Sequence, residues 1–284
     1  MRRKGWLIYD QAGAKRNAGY IKMHFEVAEK MGVDLQLVMA EQIIYGVQDG
    51  RTVVRVPEDV KQDPDFVICR TIQPFLTKIL ELAGYRVFNN SKVAEIANHK
   101  AKAYAYLAGK GIPMIDTVFM QNEDFYRDYE TIPEGHVVKA VDGHGGSQVF
   151  LKNSGNQEEI WNGMGSSDVV VQPLVSGAYR DVRVYVIGEE IIAAVCRSAK
   201  SGFKSNYSLG GDVALYSLSR QESALVYQII QQFDFGLVGI DFLIDGQGQF
   251  LFNEIEDVVG ARMLYALTDI PLLEKYFAFI LEQI

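Results

Sequence analysis

Cysteine is scarce in this 284-residue chain. Cys69 and Cys196 stand far apart in stretches that read as strands. That spacing excludes a disulfide framework or a cysteine-based zinc site and fits a reducing cytoplasm. No run of roughly 18 or more apolar residues occurs, so no transmembrane helix is expected. The basic start, MRRKGWLIYD, lacks the apolar run of a signal peptide and reads instead as a first strand. A formal net charge of −8 argues against nucleic acid as a partner, although it does not exclude a local basic groove. Neither a G-x-G-x-x-G after a strand nor a P-loop is present, so the two commonest nucleotide fingerprints are missing. There is no His/Ser/Asp arrangement for nucleophilic catalysis, no repeat and no Pro-rich linker, so the lobes of the chain should be joined tightly.

What is present is a chain long enough for two or three lobes. The first 95 or so residues alternate strand and helix: "WLIYD", a helix over Asn17–Lys30, "DLQLVM", "DFVICR", a helix from Pro74 to Ala83, then "YRVFN". This alternation predicts a small parallel α/β sheet with helices on its faces. From Ser91 to Gly111 the pattern is helical, broken near Asn98. A β-rich stretch follows, then a hairpin over Asp181–Ala199 with Gly188-Glu189 at its turn, a helix over Ser219–Phe233, a last hairpin and two terminal helices.

That last hairpin, "GLVGIDFLIDGQGQFLFNEIED" (Gly236–Asp257), is apolar on both arms yet carries Asp241, Glu254 and Glu256. Gly246-Gln247-Gly248 supplies turn chemistry. With Ile244 opposite Gln249, Asp241 falls opposite Phe252. Asp241, Phe252, Glu254 and Glu256 then share one face, while Ile240, Phe242, Ile244, Leu251 and Ile255 form the core face. Asp241 and Glu254 become diagonal neighbours, about 7–8 Å apart at the backbone. Carboxylates converging on a half-buried surface repel one another unless a cation sits between them, and hard oxygen ligands suit magnesium. The competing account is an acidic solvated edge, and a slip of one residue would send Asp241 to the opposite face.

Cations gather elsewhere. "VVKAVDGHGGSQVFL" places Lys139 in a strand before a turn of three glycines, whose backbone amides can approach an anion closely. Lys100 is a single lysine in a helical stretch. Arg183 and Arg197 lie on opposite arms of a hairpin, close to direct pairing, and two guanidiniums so placed require an anion between them. Phosphate and carboxylate both suit that geometry. Salt bridges to Asp181, Glu189 or Glu190 are the alternative. The loop from Lys204 to Gly211 has the composition of a lid.

Taken in order, these segments resemble the ATP-grasp superfamily, with the RimK-like carboxylate–amine ligases as the nearest branch, over essentially the whole chain. The resemblance implies an α/β (α+β) ATP-grasp fold. Its lobes would be an N-terminal pre-ATP-grasp parallel α/β domain (1–95), a central lobe (96–174) and a C-terminal lobe with the metal site (175–284), the last two clamping ATP. By resemblance Lys100 and Lys139 contact the nucleotide and its phosphates, and Gly143, Gly145, Gly146 and Ser147 belong to the loop over the phosphates. Gln172, Pro173, Leu174 and Val175 match the adenine-binding linker, and Asn206 sits in the family's "SN…GG" loop. Arg183 and Arg197 match arginines at the phosphate and acyl-phosphate site, Arg197 foremost. Asp241 and Glu254 match magnesium ligands. Glu256 stands where many members carry Asn, and it is kept as a third ligand. Pro173 replaces a frequent glutamate, and His144 is an unusual loop residue expected to face solvent.

The implied cofactors are ATP and two Mg2+, with Mn2+ as a substitute. The implied reaction passes the γ-phosphate to a carboxylate and lets an amine attack the acyl phosphate. Such chemistry needs alignment and charge neutralisation more than a dedicated base. Arg70, at a strand end, and Arg262, just after the acidic hairpin, are candidates for gripping a substrate carboxylate, while Asn17 reads as a helix cap. The partner expected is a small amino acid or peptide, with a carrier protein and a homo-oligomer left open. An ATP-grasp phosphotransferase and a non-catalytic nucleotide-binding partner stay open as alternative functions.

Overall fold

Apolar strands alternating with amphipathic helices build a four-stranded parallel sheet in the first third of the chain. In the computed structural model, which describes residues 2–61, 63–175, 180–198 and 212–284, β1 (Arg3–Tyr9) lies between β2 (Val33–Met39) and β5 (Phe66–Cys69), and β6 (Val87–Phe88) forms the edge. Trp6, Leu7, Ile8 and Tyr9 are all buried, as helices over both faces require. The flanking helices are Ala18–Lys30 and Pro74–Leu82. A further helix, Gln11–Arg16, precedes the first of them. Asp10 caps it by accepting from the Gly13 amide at 2.7 Å. Asn17 therefore joins two helices, and its amide donates to the Gly13 carbonyl. An unforeseen hairpin, β3 (Ile44–Gln48) with β4 (Arg51–Arg55), turns at Asp49-Gly50. Both turn residues have positive φ (50° and 73°), so the Asp-Gly pair was its legible signal.

A second, antiparallel sheet has the order β7 (Val118–Met120), β10 (Val169–Pro173), β8 (His136–Ala140), β9 (Val149–Leu151). It packs on the helices Asn122–Arg127 and Gln157–Met164 through Phe125, Tyr129, Ile160 and Met164. The third sheet, also antiparallel, has the order β13 (Asp212–Tyr216), β12 (Glu190–Ser198), β11 (Arg180–Ile187), β14 (Leu237–Ile244), β15 (Phe250–Glu256). One of its faces buries Val182, Val184, Ile240 and Phe242 against the helices Ser91–Ala97, Lys100–Leu107 and Arg220–Ile230. Its other face shares a core with the N-terminal sheet and the helices Arg262–Leu267 and Leu272–Glu282. There Tyr185 and Leu237 join Leu7, Tyr9 and Phe66 in one cluster with Leu264 and Phe277. Burying each such large side chain contributes about 1.5–3 kcal/mol, so the third sheet is fastened from both sides. Among the described residues no helix is long and apolar enough to cross a membrane.

Candidate active site

The acidic hairpin departs from the expected register in an instructive way. Asp245 organises the turn: its Oδ1 accepts from the amides of Gln247 (2.9 Å) and Gln249 (2.8 Å). Ile244 therefore pairs with Phe250, not Gln249. Further along, Phe242 pairs with Phe252 but Asp241 pairs with Glu254, which leaves Asn253 as an extra residue in β15. A bulge of this kind shifts the two-residue alternation by one. Phe250 and Phe252 face the core before it and Ile255 after it, so Phe252 leaves the acidic face where simple alternation had placed it. Leu251, expected in the core, is only half-buried. Asp241 and Glu254 become direct cross-strand partners instead of diagonal ones, and carboxylate oxygens of Asp241, Glu254 and Glu256 lie within 4.8 Å of one another.

The anion between the two arginines is Asp241 itself. Arg183 grips it with two parallel bonds, Nε to Oδ1 at 2.8 Å and Nη2 to Oδ2 at 2.7 Å. Arg197 reaches the same Oδ2 at 2.6 Å and pairs directly with Asp181, its opposite neighbour across the β11–β12 ladder. Arg183 also pairs with Glu256 at 2.5 Å. Arg183 and Arg197 are 6% and 4% exposed and Asp241 is wholly buried, so these are charges withdrawn from water. Burial alone would raise the Asp241 pKa; Arg183 and Arg197 outweigh it and hold the carboxyl below its ordinary range. Glu256 goes the other way. Burial, with Asp241 and Glu254 nearby, raises its pKa against the opposing pull of Arg183.

Two lysines face this cluster. Lys100 opens its helix with its backbone amide on the Val141 carbonyl. Its ammonium donates to the Gly143 carbonyl at 2.5 Å and lies 3.5 Å from Glu254. Lys139, on β8, donates to Asn253 Oδ1 at 3.0 Å, so the bulge residue also anchors a cation. Burial lowers the Lys139 pKa to about 8, with Glu254 opposing and Lys100 reinforcing the shift. Gly145 and Gly146 both adopt positive φ (67° and 76°), a backbone that side chains resist. These groups line one cleft between the second and third sheets, with Gln172, Pro173, Leu174 and Val175 along one wall and Leu243 and Glu254 on another.

The RimK-like ATP-grasp domain model matches residues 97–280. The chain belongs to the RimK-like ATP-grasp family. A probable alpha-L-glutamate ligase of Legionella pneumophila is 30% identical over 208 residues, covering 71% of this chain and 68% of that protein. Beta-citrylglutamate synthase B of Homo sapiens is 27% identical over 245 residues, 80% of this chain and 64% of that protein. The chain spans 60–64% of the length of the first curated relatives it matches. Among solved structures, an ATP-grasp ligase associated with RiPPs from Chryseobacterium gregarium, in complex with ADP and a leader and core peptide, aligns with a TM-score of 0.69 at 16% identity. The alignment covers 99% of this chain and 97% of that one, which establishes the ATP-grasp fold.

Within this RimK-like fold the cleft gathers Lys100, Lys139, Gly143, Gly145, Gly146, Gln172, Pro173, Leu174, Val175, Arg197 and Glu254. Asp241, Arg183 and Glu256 join through the ion pairs behind it. Gln172 is buried, and its amide donates to Thr117 Oγ1 at 2.8 Å, so its side chain fixes the wall. Ser147 is exposed, with its hydroxyl on the His144 carbonyl; His144 itself is exposed, as expected. Arg262 is an exposed residue at the start of the helix Arg262–Leu267. Arg70 is buried at the end of β5, apart from the cleft-lining residues. Asn206 and the whole of the expected lid, 204–211, lie outside the described residues.

Two contributors escaped sequence reasoning. Asn253 reads as an ordinary strand residue because a bulge has no compositional mark. Asp257 is buried and accepts from the Asn89 amide at 2.6 Å and the Asn98 amide at 2.9 Å, tying the hairpin to β6 and to the break before Lys100. Its neighbour Glu256 drew the attention, and an acid next to a predicted ligand carries no separate signal.

Proposed function

We propose that this chain is an ATP-dependent carboxylate–amine ligase that forms an amide through an acyl phosphate, acting on an amino acid or peptide. Three lobes, 1–95, 96–174 and 175–284, do the work, and ATP sits between the last two. The observation that carries this reading is the three-carboxylate cluster placed across one cleft from two lysines and a glycine-rich loop. Asp241, Glu254 and Glu256 form a hard-oxygen donor set that fits magnesium, with manganese as a substitute, and a set of three accommodates two ions. Bound metal supplies charge neutralisation for the polyphosphate. Lys100 and Lys139 hold the phosphates beneath Gly143–Ser147, Gln172–Val175 hold the adenine, and Asn206 belongs to the ATP-binding set. Arg197 and Arg183 orient the phosphate and the acyl phosphate, and Arg262 lies near enough in the chain to steer a substrate carboxylate. No general base is required if the amine arrives deprotonated and aligned.

Charge supports the same reading. Lys100, Lys139, Arg183 and Arg197 meet Asp181, Asp241, Glu254 and Glu256, so the cleft is balanced as it stands. Two magnesium ions and ATP entering together, four positive charges against four negative, preserve that balance, whereas either alone upsets it.

The test is phosphate release with ATP and magnesium against pooled carboxylic acids, amino acids and dipeptides. Release that requires both an acid and an amine, with an amide in the product, is the expected result, and Glu254→Gln should lower it by roughly a hundredfold or more. A phosphorylated product without an amine would make the chain a phosphotransferase. Absence of turnover with every pair would make it a nucleotide-binding partner.

A further inference from the structure

Asp241 is held by two arginines, and only one of them stands in the cleft. Arg183 takes both carboxylate oxygens, Nε on Oδ1 at 2.8 Å and Nη2 on Oδ2 at 2.7 Å, and is not among the residues that line the cleft. Arg197 lines the cleft and reaches Asp241 through Nη2 alone, on Oδ2 at 2.6 Å. A carboxylate oxygen offers about two lone-pair sites. Oδ2 therefore has both sites taken, one by each arginine, whereas Oδ1 has given up one. Arg197 is anchored a second time. Its Nε donates to Asp181 Oδ1 at 2.9 Å and its Nη2 to Asp181 Oδ2, across one rung of the β11–β12 ladder. Releasing Asp241 costs Arg197 one of its three carboxylate bonds and leaves the guanidinium tethered.

The same Asp241 belongs to the three-acid cluster. It is wholly buried, while Glu254 and Glu256 are half-buried, and carboxylate oxygens of all three lie within 4.8 Å of one another. A divalent ion that meets all three acids therefore meets the guanidinium of Arg197 as well. Two cations on one carboxylate repel each other, and so far from water the repulsion is poorly screened.

We propose that Arg197 is an internal competitor of the metal: its Nη2 and the ion contend for Oδ2 of Asp241, and Asp181 is the positioning residue that keeps the displaced guanidinium at the cleft wall. Magnesium alone then binds poorly, because it strips Arg197 of an acceptor and supplies none. Magnesium entering with a polyphosphate supplies phosphate oxygens in exchange, so each strengthens the binding of the other. The identity of the ion rests on the ligase reading, but the competition is tested without turnover.

Manganese(II) binding is measured from the fall in its free paramagnetic resonance signal, with no nucleotide present, for the wild type, Arg197→Met and Lys139→Gln. Each substitution removes one positive charge beside the acids, but of the two side chains only Arg197 bonds to Asp241. Arg197→Met should bind manganese about a hundredfold more tightly than the wild type, and Lys139→Gln less than about tenfold. Millimolar guanidinium chloride should return Arg197→Met toward the wild type, and sodium chloride at the same concentration should not. Equal gains in the two variants, or no gain in Arg197→Met, would overturn the proposal. Should Arg197→Met fail to fold, wild-type crystals grown with magnesium and the imido analogue of ATP decide the matter. Nη2 of Arg197 parted from Asp241 and bound to a phosphate oxygen is the expected arrangement; Nη2 still on Oδ2 beside a bound ion sinks the exchange. If the exchange occurs while no pair of acid and amine is ligated, the ligase reading falls and the competition stands. If ligation occurs without the exchange, the reverse holds.

Discussion

Two sets of buried arginines meet water-free surroundings in opposite ways. Arg183 and Arg197 are matched by Asp181, Asp241 and Glu256 from the same sheet, every pair within ion-pair distance. Arg70 has a phenol, a carbonyl and a ring face. The first set is complete without a ligand, so a ligand there must exchange partners with the protein. The second meets only neutral dipoles and a ring face, so no acid depends on it. Substitutions that remove one cation at a time separate the two cases. Arg183→Met should have the larger effect, about 3–5 kcal/mol in urea denaturation at unchanged m, because wholly buried Asp241 loses its two-bonded partner and half-buried Glu256 loses its ion pair. A loss below about 1 kcal/mol would mean that water already reaches these acids, and the contrast with Arg70 would vanish.

Lys139 stands between the extremes, bound to a neutral amide but close to Glu254. Its pKa, lowered to about 8, predicts two pH effects of opposite sign. An unfolded lysine keeps its proton to about pH 10.4. As pH rises past 8, the folded chain loses this proton first, so between those values the unfolded state binds more protons and folding stability without nucleotide increases with pH. The same deprotonation removes a cation from the phosphate side of the cleft. The KM for ATP should therefore rise about tenfold from pH 7 to pH 9. Lys139→Gln should flatten both profiles; if KM climbs equally in that variant, another group is titrating.

How much of this was legible depended on whether local pattern or long-range geometry decided it. The parallel sheet followed from strands buried on both faces and helices with one apolar side, features written in contiguous residues. The break near Asn98 was visible, and so was the gathering of Asp241, Glu254 and Glu256 on one face. Their true pairing was not, because it depends on Asp245 capping the turn and on Asn253 being one residue too many. Either event alone moves the register by one, and neither has a residue type that announces it. The arginine pair was anticipated as a cradle needing an anion. That the anion is Asp241, reached from the next strand over, required the strand order β12-β11-β14.

The smallest expected effect belongs to Arg70. Arg70→Met leaves no acid behind, and the Tyr9 hydroxyl and the Val259 carbonyl each lose one neutral contact while the methionine refills much of the volume. The stability change should fall within about 1 kcal/mol of the wild type, against several for Arg183→Met. Tyr20 packs over the guanidinium, so some of that change will come from lost ring contact. Should urea denaturation instead show Arg70→Met costing as much as Arg183→Met, the guanidinium is fastening β5 to the segment around Val259. Its lack of an acid would then reflect a structural tie to neutral dipoles, and the two kinds of arginine would differ only in how they are paired.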